Sequence, residues 1–83
     1  MNSPLAGKVR ELAGAVLQKP IAPGENVSRA SESAWDSLKH IELIFLLEDH
    51  FGVRFSEQEL AEITDLHQMT SALEAKIAAQ HRS

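Results

Sequence analysis

Between Asp36 and Gly52 the chain carries more apolar residues than a single narrow helical stripe can hold. Leu43, Ile44, Leu47 and Phe51 fall together at helical spacing and form a core face. Leu38, Ile41 and Phe45 make a second apolar line beside Glu42, Glu48 and Asp49. A helix that is apolar on more than one side is either central to a bundle or keeps a face for a partner. Asp36 is a favourable N-cap and Gly52 a favourable stop, so a helix is expected from Asp36 or Ser37 to about His50.

Three further helical segments surround this one. Leu5, Val9, Leu12 and Val16 recur at spacings of four, three and four, which predicts a helix from Pro4 to Gln18 capped by Ser3 and ended by Lys19-Pro20. Ser56-Glu57-Gln58-Glu59 has the capping-box pattern and begins a short helix with Leu60 and Ile63 on its apolar side. Leu66, Met69, Leu73 and Ile77 mark a last helix, capped by Thr64 or Asp65 and running to about Ala79. The stretch from Pro20 to Trp35, with two prolines and Gly24, reads as a long loop that Ile21, Val27 and Trp35 pin to the body. The expected architecture is all-α: a four-helix bundle of three longer helices and one short one, forming one domain over residues 1–83.

Several chemistries are excluded by composition. With no cysteine there is no disulfide, thiolate metal site or cysteine nucleophile. The four histidines lack a metal-ligand spacing, and neither a nucleophile elbow nor a phosphate-binding glycine loop is present. His40 follows Ser37 by three residues, but a Ser–His pair with no third group is a poor catalyst. No stretch is long and apolar enough for a membrane span, and no signal-peptide pattern opens the chain, so a cytoplasmic protein that binds no membrane is expected.

The formal net charge of −4 argues against a nucleic-acid partner. Its distribution is uneven. Residues 36–62 hold seven acids (Asp36, Glu42, Glu48, Asp49, Glu57, Glu59, Glu62) against Lys39 and Arg54. A local field of one sign steers a partner of the other, although a solvated helix face explains such a cluster taken alone.

The string Trp35-Asp36-Ser37-Leu38 resembles the Asp-Ser-Leu signature of acyl and peptidyl carrier proteins. The resemblance continues through Glu42-Leu43, Leu47-Glu48-Asp49-His50-Phe51-Gly52, Phe55 and Ile63-Thr64-Asp65-Leu66. It implies a free-standing, non-enzymatic carrier with Ser37 as the attachment point of a 4′-phosphopantetheine arm taken from coenzyme A. The arm's thiol would hold cargo as a thioester, supplying the sulfur that the chain lacks.

The resemblance also implies the partners. A phosphopantetheinyl transferase would load Ser37. Acyl- or aminoacyl-loading and processing enzymes with basic docking patches would meet Asp36, Leu38, Glu42, Phe45, Glu48 and Asp49. Capping alone explains Asp36, partial core packing explains Leu38 equally, and core burial explains Phe45 slightly better. A monomer is expected, since transient partners need one surface free. Lys39 stands where many carriers have an acid, and Ala34-Trp35 replaces a glycine-plus-small pair, as in D-alanyl and other specialised stand-alone carriers. The loop from Ser28 to Ser33 lacks the bulky apolar residues that usually plug the core, a gap that Trp35 is placed to fill. The rival reading is an unmodified acidic helical interaction module.

Overall fold

The computed structural model describes residues 4–22 and 24–80, and among them are four helices: α1 (Pro4–Leu17), α2 (Ser37–Phe51), α3 (Glu57–Glu62) and α4 (Leu66–Gln80). The three long helices and the short third one match the expected all-α architecture. The expected cap at Ser3 lies outside the described residues.

α1 packs against α2 and α4. Val9, Ala13, Val16 and Leu17 meet Leu43, Ile44 and Leu47 of α2 and Leu66, Met69 and Leu73 of α4 in one core. Fully burying a side chain such as Leu43 or Leu73 contributes about 1.5–3 kcal/mol, so these stripes account for much of the drive to fold. Val27, Trp35, Val53 and Ile63 complete the core from the connecting segments.

The helix ends follow from local chemistry. α1 stops one residue short of the expected Gln18, which takes φ +58 instead. The Lys19 amide turns back to the Gly14 carbonyl at 3.1 Å, so a left-handed residue closes the helix before Pro20 is reached. α2 ends similarly: Gly52 has φ 68, and its amide bonds the Glu48 carbonyl at 2.9 Å. Ser56 and Glu59 form the expected reciprocal capping box on α3. Of the two candidates for the α4 cap, Asp65 takes the role, its carboxylate accepting from the Gln68 amide at 2.7 Å.

The long loop is tied down by backbone bonds to the start of α4. Ser28 and Asp65 form an isolated antiparallel bridge, with Arg29 N–H to Thr64 O at 2.9 Å and Leu66 N–H to Val27 O at 3.0 Å. Asn26 also accepts from the His67 amide at 3.1 Å. Lys19 and Glu32 pair across the loop's base. These bonds hold the loop across the bundle and deliver Trp35 to the core immediately before α2 begins.

Candidate functional site

Ser37 is the first residue of α2, and its side chain is exposed. Asp36 sits just outside the helix in extended conformation, φ −91 and ψ −175. Its carboxylate accepts from the Lys39 amide at 2.9 Å, and its carbonyl accepts from the His40 amide at 2.9 Å. Asp36 is therefore the N-cap that the sequence predicts. The first amides of a helix have no acceptor within it, and the helix dipole makes that end favourable to a negative group. An exposed hydroxyl at this point is accessible to a modifying enzyme, and a phosphodiester formed there lies at the favourable pole.

The turn rests on a buried polar pair. Trp35 is 2% exposed and His40 5% exposed. The indole N–H donates to His40 Nδ1 at 3.1 Å, and His40 Nε2 lies 2.8 Å from the Leu60 carbonyl of α3. An indole only donates and a carbonyl only accepts, so the ring is neutral with its proton on Nε2. Burial is the main cause holding the His40 pKa below its usual 6.5, and the Arg29 charge acts the same way, against the opposing effect of the Leu60 bond. Both ring nitrogens are thus engaged away from Ser37, and no Ser–His dyad forms.

Leu38, Ile41, Phe45 and Leu46 are exposed on α2. The structure corrects the reading of Phe45 as a core residue: the side chain is 62% exposed. Phe45 lies two residues from both Leu43 and Leu47, about 200° around the helix from each, so a face that puts those two inside turns Phe45 outside. Leu38, at 64%, is likewise turned to solvent. Ile41 and Leu46 extend this apolar face beyond the two residues singled out for partner contact; the second apolar line was the signal for Ile41.

The acids on α2 are not equivalent. Asp49 is exposed, and Glu42 lies 3.8 Å from Lys39, a surface pair. Glu48 is half-buried and accepts from the Phe55 amide at 2.9 Å, fastening the segment that follows the helix. Sequence spacing gave no sign of that bond, because it joins a helix to a turn that has doubled back.

Comparison with known proteins adds the family. The sequence model described as "Phosphopantetheine attachment site" matches residues 7–73. The chain belongs to the phosphopantetheine-attachment family. Its members are carriers rather than catalysts, and their prosthetic group is phosphopantetheine. Acyl carrier protein 3 of Ralstonia nicotianae is 27% identical over 81 residues, covering 95% of this chain and 92% of that protein. The solution structure of holo acyl carrier protein from Geobacter metallireducens superposes with a TM-score of 0.79 at 23% identity, covering 98% of this chain and 97% of the other. That likeness establishes the carrier fold.

The geometry fits the family's group: an exposed serine hydroxyl at the start of a fifteen-residue helix, preceded by a carboxylate that is committed to capping. Among the described residues no cluster of metal-ligating side chains occurs, and no helix is long and apolar enough to cross a membrane.

Proposed function

We propose that this chain is an acyl carrier whose 4′-phosphopantetheine arm is attached at Ser37 and which moves thioester-bound intermediates between partner enzymes. The observation that carries this reading is the position of Ser37: exposed, and at the first residue of α2 in a phosphopantetheine-attachment family chain. The group, when attached, supplies the thiol. The protein's own residues present it: Asp36 fixes the turn, and the positive helix end favours the phosphate. The reading takes the chain as one carrier domain acting as a monomer in the cytoplasm.

The partner surface in this reading is α2. Leu38 and Phe45 offer exposed apolar contact, with Asp36, Glu42 and Asp49 as charged neighbours for a basic patch on a transferase or an acyl- or aminoacyl-processing enzyme. Exposed pairs are worth about 0–1 kcal/mol each, so they orient an enzyme without retaining it, which suits a shuttle. Glu48 contributes to this surface mainly by fixing its edge, since its carboxylate holds the Phe55 amide.

Incubation with coenzyme A and a broad-specificity phosphopantetheinyl transferase tests the proposal. Intact mass should rise by one phosphopantetheine for the wild type and stay unchanged for Ser37→Ala. A wild type that remains unmodified would favour an acidic helical interaction module instead.

A further inference from the structure

We infer that Trp35 and His40 act as positioning residues for the Ser37 turn, and that a proton added to His40 releases the hold. The positioning role rests on the reading of Ser37 as the attachment residue; the latch itself does not. His40 joins three elements at one ring: α2, on which it sits, the loop, through the Trp35 indole, and α3, through the Leu60 carbonyl. α3 has six residues, none fully buried, and so depends on few attachments. Among them are this bond, the Glu59–Lys76 ion pair at 2.8 Å, and the packing of Leu60 and Ile63.

The arrangement works only with a neutral ring. A second proton would go onto Nδ1 and face the indole N–H, turning donor–acceptor into donor–donor contact inside the core. The charged groups nearby do not relieve this. On α2 the Asp36 carboxylate is bound to the Lys39 amide, and the Lys39 ammonium lies toward Glu42. From the loop, Arg29 adds positive charge that opposes protonation. On α3, Glu59 beside Leu60 is already held by Lys76 and the Ser56 amide. Protonation therefore turns the ring out of its site, freeing the loop end at Trp35 and α3 at Leu60, and with them the support under Ser37. A glutamine at position 40 carries one amide acceptor and one amide donor, the same pair the neutral ring uses, and does not titrate in this range.

Trp35 is the sole tryptophan, so its emission reports on the latch directly. The test compares wild type with His40→Gln from about pH 8 to about pH 5, across and below the ordinary histidine range. Wild-type emission should change along a one-proton curve with its midpoint below the ordinary histidine value while helical circular dichroism is retained, and His40→Gln should stay flat. A flat wild type, the same transition in His40→Gln, or loss of helix along with the emission change overturns the latch.

The positioning role is read from transferase-catalysed modification, as the ratio of wild-type to His40→Gln rates, which cancels the transferase's own pH response. The ratio should fall several-fold on the acid side of the emission midpoint; a constant ratio overturns the role. Where neither chain is modified at neutral pH but the emission transition occurs, the attachment reading fails, the positioning role falls with it, and the latch is upheld.

Discussion

The carboxylate of Glu48, on the last turns of α2, accepts the backbone N–H of Phe55 at 2.9 Å, across seven residues of chain. A residue that reads by spacing as one more acid on a recognition face is thereby a fastener of the fold. A hydrogen bond to a charged group is worth about 1.5–3 kcal/mol, and partial exposure places this one toward the low end. Glu48→Ala should lower stability in urea denaturation by about 1–2 kcal/mol, and Glu48→Gln, which keeps an oxygen acceptor, by less. Asp49→Ala, at an exposed neighbour, should fall within about 0.5 kcal/mol of wild type.

Gly14 makes a second stability prediction. A Cβ there would lie 2.9 Å from the Lys19 carbonyl oxygen, a backbone atom fixed by the turn that closes α1. Alanine ordinarily favours a helix over glycine by about 1 kcal/mol, but the clash requires the turn to shift, and crowding of this kind costs about 1–3 kcal/mol. Gly14→Ala should therefore be neutral to destabilising by about 2 kcal/mol, where an unobstructed helical site would gain stability. A clear rise in the urea midpoint would contradict the close approach.

Stability should vary with pH in two windows. Because folding holds the His40 pKa below 6.5, the unfolded chain takes a proton more readily than the folded one. The His40 contribution is present in full above pH 6.5 and is lost as pH falls through the folded-state value. Glu59 is held below 4.5, chiefly by its bond to Lys76 and then by the Ser56 amide, so its contribution is kept above pH 4.5 and lost further into acid. Chemical denaturation at a series of pH values should show the upper loss in wild type and its absence in His40→Gln, with the lower loss common to both.

Trp35→Ala should be among the most damaging single changes. Removing an indole that is 2% exposed leaves a cavity and strands His40 Nδ1 without its donor. Phe/Trp-to-Ala changes in cores cost about 3–5 kcal/mol, a large part of the stability of a small domain. Thermal unfolding followed by circular dichroism should show a lowered and broadened transition.

The four helices were legible because their signals are local. The stripe from Leu5 to Val16, the Ser56–Glu59 box, the Asp36 cap and the Gly52 stop each lie within a few residues of what they control. What escaped the sequence was set by tertiary neighbours. The outward turn of Phe45 depended on which flank of α2 would be covered by α1, a choice that two apolar lines on one helix leave open. The partners of His40 lie five residues away in the loop and twenty residues away on α3, and only the folded chain brings Trp35 and Leu60 to one imidazole. At the candidate site, the serine and its cap were readable from Trp35-Asp36-Ser37-Leu38, while the polar pair beneath them was not.

The carrier function depends most directly on the chemistry of one hydroxyl. After transferase treatment with coenzyme A, proteolysis and tandem mass spectrometry should locate a single phosphopantetheine on the peptide containing residue 37, with Ser37→Ala unmodified yet equally helical by circular dichroism. No addition to a folded wild-type chain, or addition at another serine such as Ser33 or Ser56, would contradict it.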